Sequence, residues 1–186
     1  MSLANRITLV RFFLVPFFVW ALVYYSPQRD YLRLAAIVIF VLAMITDGLD
    51  GYIARIRSQK TPLGLVLDPL ADKFLLISGY IALTALNSLP EGIRIPAWLS
   101  ILVISRDVFI LSGSAVIQLM TQRLVVKPSV LGKITTFFQM SSILVALLGS
   151  PFRLFFFGVT AGFTVLSGLG YFRYGLGILN SSSSQS

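Results

Sequence analysis

Cysteine and histidine are absent from this 186-residue sequence, and acids are scarce: seven Asp and Glu stand against fifteen Lys and Arg. Without thiols there is no disulfide, no thiolate nucleophile and no zinc–thiolate site. Without imidazole there is no histidine base or nitrogen ligand. Acid–base or metal chemistry, if there is any, falls to carboxylates. Charge is thin altogether: 12% of residues are charged and 56% are hydrophobic, where a soluble domain carries about 25% charged residues. In place of the missing polarity stand apolar runs of roughly 18 to 25 residues, the length that crosses a bilayer as a helix. Composition therefore predicts an all-α, polytopic integral membrane protein. The net charge of +8 raises nucleic acid as a partner, but the basic residues mark the ends of apolar runs instead of forming patches. Lipid phosphates and topology signals account for them, and no nucleic-acid partner is expected.

Taken in order, the chain reads as six transmembrane helices. The basic start, Met1 to Arg11, resembles the opening of a signal peptide, but no small-residue cleavage site follows it. Helix 1 is expected at about Ile7 to Tyr25 and is retained. A polar loop follows, Ser26 to Arg33. Helix 2 covers about Leu34 to Gln59, and Thr61-Pro62 offers an N-cap and first-turn proline for helix 3, to about Leu86. Helix 4 spans about Pro96 to Met120, helix 5 Val130 to Leu148 and helix 6 Leu154 to Tyr174. Residues 1–180 form one membrane domain, and the Ser-rich 181–186 is expected to be a disordered tail. With the N-terminus inside, the inner segments hold Arg6, Arg11, Arg55, Arg57, Lys60, Arg123, Lys127, Lys133 and Arg173. The outer loops hold only Arg29, Arg33, Arg94 and Arg153. That bias puts both termini in the cytoplasm.

Against this apolar background, four of the seven acids fall in one window: Asp47, Asp50, Asp68 and Asp72. Each Asp in mid-membrane costs about 2.5–3.5 kcal/mol on an insertion scale, or ~10–14 kcal/mol for four if unpaired. Arg55 and Lys73 offset only part of this. Asp47, Asp50 or Gly51, and Ala54 recur three or four residues apart, so they share a face of helix 2. Gly64, Asp68 and Asp72 recur every four and share a face of helix 3. If the two helices form a hairpin turning near Gln59-Lys60, Asp50 and Asp68 lie about 13 Å from the turn, and Asp47 and Asp72 about 18 Å. The acids are then level in two pairs. Divalent cations with oxygen preference, Mg²⁺ or Mn²⁺, stabilise such a cluster and keep positions open for phosphate. Two of them would clamp a phosphoryl centre. Gly51, Ala54 and Gly64 leave room beside the acids for a bulky ligand or a close helix, and Arg55 lies nearer the cytoplasmic end, where it reaches a diphosphate.

The motif Asp47-x2-Asp50-Gly51-x2-Ala54-Arg55-x8-Gly64-x3-Asp68-x3-Asp72 resembles the signature of the CDP-alcohol phosphatidyltransferases at every fixed position. Asn5-Arg6-Ile7-Thr8 with Arg11 and Pro16, Leu67-Asp68-Pro69-Leu70-Ala71-Asp72-Lys73, Ser105-Arg106-Asp107, and Gly132-Lys133 with Thr135, Thr136 and Gln139 are similar to the phosphatidylglycerophosphate synthases and their CMP-forming cardiolipin synthase relatives. The resemblance implies a six-helix membrane enzyme, commonly a homodimer, in the bacterial inner membrane with its site facing the cytoplasm. It implies displacement of CMP from CDP-diacylglycerol by an alcohol, dependent on Mg²⁺ or Mn²⁺. Asp47, Asp50, Asp68 and Asp72 then hold two metals, and Asp72 also acts as general base. Gly51, Arg55 and Thr61 take the CDP part of the donor, with Ala54 and Gly64 at the remaining motif positions.

The acceptor is assigned elsewhere. Arg106 and Asp107 lie mid-helix 4 and Lys133 begins helix 5. Arg106 and Lys133 are expected to grip an acceptor phosphate, with Asp107 orienting the guanidinium; the competing reading is a structural Arg106–Asp107 pair with Lys133 reaching to the interface. Glycerol 3-phosphate, as in phosphatidylglycerophosphate synthases, is placed ahead of phosphatidylglycerol, the acceptor of cardiolipin synthases. The second reading is kept because no further arginine follows Arg106-Asp107 and because Lys127-Pro128-Ser129 looks closer to cardiolipin synthases. An ion or proton transporter is the alternative from another class, but broken-helix repeats are not evident.

Overall fold

The computed structural model describes the backbone of residues 3–57, 62–121 and 130–183 and the side chains of residues 10–46, 73–113 and 130–173. Among the described residues all regular structure is helical: α1 (Leu3–Val23), α2 (Tyr31–Arg57), α3 (Pro62–Ala85), α4 (Ala97–Thr121), α5 (Val130–Leu147) and α6 (Arg153–Ser183). Three boundaries differ from expectation, the first being α1, which begins at Leu3 rather than Ile7. The Ser26–Arg33 connection contains a turn of 3-10 helix, Pro27–Arg29, and α2 begins at Tyr31 rather than Leu34. Asp30 organises that start: its carbonyl accepts from the Arg33 and Leu34 amides at 3.1 and 3.2 Å, and its carboxylate takes Arg33 Nη2 at 2.9 Å. At the other end α6 passes the expected stop at Tyr174 and runs into the serine stretch as far as Ser183. No proline follows Pro151 to break it.

The chain divides into two compact units, Met1–Ile95 with Ile143–Ser150, and Pro96–Ser142 with Pro151–Ser186. In the first unit, α1 packs against both α2 and α3. Its inner face buries Phe18, Ala21 and Leu22 against Ala36, Phe40 and Ala43 of α2 and Leu76, Tyr80 and Leu83 of α3. Small residues at 36 and 43 let the helices approach, and the Phe18 and Phe40 rings fill the space with centroids 5.6 Å apart. The chain leaving α3 is pinned by the Ile95 amide on the Leu83 carbonyl at 3.1 Å, with Leu89, Ile93 and Ile95 buried.

In the second unit α4 packs on α6, and the α5–α6 seam is polar. Thr135 Oγ1 donates to the carbonyls of Leu131 and Phe163 at 2.7 and 3.1 Å, and the Ser142 and Thr160 hydroxyls lie 2.6 Å apart. Phe138 and Phe163 stack beside them with centroids 5.0 Å apart. The buried hydroxyls of α6, at Thr160, Thr164 and Ser167, recur at intervals of four and three residues and so occupy one stripe. Most of the large apolar side chains point the other way: Leu154, Phe155, Val165, Leu166, Leu169 and Phe172 are exposed, while Phe157 is buried. On α2 the same inversion puts Leu34, Val38, Leu42 and Ile45 outside. Water does not select such an arrangement. In lipid, apolar packing between helices and lipid tails is nearly neutral, and small or hydroxylated residues make the helix contacts. Val130–Leu147 and Arg153–Arg173 are long and apolar enough to cross a membrane, and Val10–Val23, Tyr31–Thr46 and Lys73–Ala85 are shorter apolar stretches.

A Schellman motif closes α5. The Gly149 amide bonds the Ala146 carbonyl at 2.8 Å and the Ser150 amide bonds the Val145 carbonyl at 3.2 Å, with Gly149 at φ +63°. A methyl there would meet only Arg33 Nη1, at 3.7 Å, so the cost of a side chain is conformational. Gly149→Ala is expected to lose about 1 kcal/mol and Gly149→Asn less, read as melting temperature in detergent.

Candidate active site

The acids of the sequence motif are distributed over the two helices that pack on α1. Asp47 and Asp50, with Gly51, Ala54 and Arg55, lie in the second half of α2, and Gly64, Asp68 and Asp72 in the first half of α3. Their backbones are helical; their side chains, and Thr61 altogether, lie outside the described residues.

Helix register nevertheless sets their levels. Phe18 of α1 meets both neighbours: its ring packs on Phe40 of α2, and a methyl built on Gly79 of α3 would sit 3.6 Å from Phe18 Cε1. Phe40 and Gly79 are therefore level across the hairpin. Two turns from Phe40 toward the connection between α2 and α3 lies Asp47, and two turns back from Gly79 lies Asp72. One turn further in, Asp50 and Asp68 come level to within about one residue rise, ~1.5 Å. The contacts that set these levels are made by aromatic and small residues of the core, well away from the acids.

What this donor set can hold follows from its chemistry. Four carboxylates in two levels, with no histidine or cysteine in the sequence, match hard divalent cations such as Mg²⁺ or Mn²⁺. Among the described side chains, which do not include these four acids, no group of three potential metal ligands comes together.

The second unit carries the residues expected to hold the acceptor. Arg106 Nη1 donates to Asp107 Oδ1 at 2.6 Å, and both side chains are buried. Nη2 donates to the Ser167 hydroxyl of α6, and the guanidinium lies 5.8 Å from the centroid of the Tyr171 ring. Charge pairing, a hydroxyl acceptor and an aromatic face together fix the orientation of this cation. Only Nε of Arg106 is left without a hydrogen-bond partner. Lys133 is exposed on α5, and the described contacts do not join it to this cluster. Ser167 and Tyr171 are the residues that sequence reading missed. The available signal was their spacing: with Thr160 and Thr164 they form a polar stripe along α6.

Similarity to known proteins bears on the whole arrangement. The family model described as CDP-alcohol phosphatidyltransferase matches residues 1–167. The chain belongs to that family. Among curated CDP-alcohol phosphatidyltransferase relatives, a "Probable phosphatidylglycerophosphate synthase" of Mycobacterium tuberculosis is 37% identical over 139 residues, 74% of this chain. The chain spans 62% of the length of that relative. A "CDP-diacylglycerol--glycerol-3-phosphate 3-phosphatidyltransferase" of Bacillus subtilis is 35% identical over 188 residues, covering 92% of this chain and 93% of its own length. A Rickettsia bellii protein of the same name is 32% identical over 181 residues, covering 92% of this chain and 94% of its own length.

Breaking a buried ion pair by removing one partner strands the other charge. Asp107→Ala is therefore expected to lower stability by about 3–5 kcal/mol, and Ser167→Ala by about 1.5–3 kcal/mol. Thermal unfolding of the purified protein in detergent checks both, with Asp107 the larger.

Proposed function

We propose that this protein transfers the phosphatidyl group of CDP-diacylglycerol to glycerol 3-phosphate and releases CMP, as a phosphatidylglycerophosphate synthase. The observation that carries the reading is the levelling of Asp47 with Asp72 and of Asp50 with Asp68 on two helices that share α1 as a platform. The printed activities of the Bacillus subtilis and Rickettsia bellii relatives support the donor and the acceptor, and favour glycerol 3-phosphate over phosphatidylglycerol.

In this reading Asp47, Asp50, Asp68 and Asp72 hold Mg²⁺ or Mn²⁺ in a two-metal site, which when occupied neutralises the diphosphate and the charge developing on the leaving CMP. Asp72 accepts the proton of the acceptor hydroxyl. The hydroxyl oxygen bonds to the phosphorus that carries diacylglycerol, and the phosphoanhydride bond to CMP breaks. Gly51, Ala54 and Gly64 leave space for the cytidine diphosphate, and Arg55 and Thr61 bind its polar groups. Arg106 and Lys133 bind the acceptor phosphate, with Asp107 holding the guanidinium. An intramembrane arginine with a preset orientation suits a tetrahedral anion.

The same reading makes all six helices membrane spans, with both termini and the acid site on the cytoplasmic side of a bacterial inner membrane and the protein a homodimer. The excess of Lys and Arg on the inner segments supports that topology.

Purified protein supplied with CDP-diacylglycerol and Mg²⁺ should release CMP with glycerol 3-phosphate and not without an alcohol. CMP release with phosphatidylglycerol alone would reassign the acceptor, and none with either would remove the enzyme reading. Asp72→Asn should reduce turnover by about 10²-fold or more while donor binding persists, whereas Asp68→Asn should weaken donor and metal binding together. Arg106→Ala and Lys133→Ala should each raise the KM for glycerol 3-phosphate by roughly tenfold or more. Unchanged KM in folded variants would reduce the Arg106 cluster to helix packing.

A further inference from the structure

A second intramembrane cation, Arg11 on α1, is one of the most completely buried side chains in the protein, at 1% exposure. A guanidinium cannot shed its charge on burial, so an anion at its level is the physical requirement. Asp30 and Glu91, the described acids of the same unit, are poorly placed. Asp30 precedes α2 and Glu91 follows α3, at the end of the unit where α1 finishes. Arg11 lies twelve residues before that end of α1, about 18 Å along the axis.

The register that levels the acids also levels Arg11 with them. The Phe12 and Phe74 rings touch with centroids 5.9 Å apart, and Phe18 meets Gly79, so α1 and α3 run side by side in the same direction. Arg11 therefore stands beside the start of the Asp72-Lys73 turn. From Phe18, which packs on Phe40, two turns back along α1 reach Arg11 and two turns on along α2 reach Asp47. One buried cation on α1 and two acids on the two helices that pack against it thus share one level.

We infer that Arg11 is the built-in counter-charge of the Asp47–Asp72 level, a positioning residue that offsets the charge of these two acids when no divalent cation is bound. The inference rests on the proposed function for the identity of the carboxylate site, but not for its own test. Lys73 sits on the same level but is only partly buried, whereas Arg11 is 1% exposed. The arrangement assigns Arg11 a job distinct from substrate contact: it offsets the mutual repulsion of Asp47 and Asp72 while the site is empty.

The test uses the full chain in detergent, without substrate. Melting temperatures are read in EDTA and in saturating Mg²⁺ for wild type, Arg11→Met, Asp47→Asn, Asp72→Asn and the Arg11→Met double variants with each aspartate. Arg11→Met should fall by on the order of 10 °C in EDTA and regain a larger part of that loss on adding Mg²⁺ than wild type gains. Asp47→Asn or Asp72→Asn in the Arg11→Met background should restore stability, because the uncompensated acid is gone. Additive losses at both aspartates, with a deficit unchanged by Mg²⁺, would overturn the inference and leave Arg11 a packing residue. Should Arg11→Met alone not be recoverable folded, recovery of either double variant supports the inference and failure of both contradicts it. CMP release by wild type is scored separately: its absence removes the enzymatic reading, whereas additivity alongside normal CMP release removes only the role of Arg11.

Discussion

A carboxylate on an apolar helix has little water to solvate it, and α2 and α3 carry four of them. The cost sets a strict condition: the acids must be brought together with enough positive charge, from ions or side chains, to compensate. Two helices contribute them, and a third, α1, serves as the common platform. The apolar contacts of Phe18 with Phe40 and Gly79, and of Phe12 with Phe74, lie on one side of the acids and decide their levels. Packing thus sets the backbone levels of the acids from a distance of about two helical turns.

The second unit solves the same problem at smaller scale. Arg106 and Asp107 are adjacent in sequence and neutralise each other, and α6 completes the cage with Ser167 and Tyr171. The hydroxyl seam between α5 and α6 fits an environment in which apolar surface carries no premium for being inside. A single interhelical hydrogen bond there is worth about 0.6 kcal/mol on average, so the seam holds by its number of contacts. The inverted exposure pattern, with hydroxyls inside and phenylalanines outside, follows from the solvent being lipid.

Much of this was legible in the sequence. The apolar runs predicted six helices, and, except at the end of α6, which runs on to Ser183, the described chain has them within a few residues, because run length and proline punctuation act locally. The spacing of Asp47, Asp50, Asp68 and Asp72 placed the acids on matched levels, and the register of Phe40 and Gly79 leads to the same alignment. What was not legible depends on tertiary contacts. Nothing in Ser26–Arg33 advertised that Pro27 and Asp30 would wind the loop and start α2 early. Arg106 was visible as a costly charge, but its partners Ser167 and Tyr171 are some sixty residues away in sequence and are chosen by how α4 meets α6. Arg11 read as a topology signal within the first apolar turns and as part of the family-like opening, whereas its burial comes from α1 packing on two helices at once. The basic residue mattered for its depth as well as its sign.

The central claim is that α2 and α3 present one site for two divalent ions. Low-temperature electron paramagnetic resonance of the detergent-purified protein titrated with Mn²⁺ tests it directly. A spin-coupled pair signal that saturates at two ions per chain, and is lost when Asp72 or Asp50 is changed to Asn, is the result expected. Only isolated, uncoupled Mn²⁺ signals, or binding indifferent to both substitutions, would contradict it.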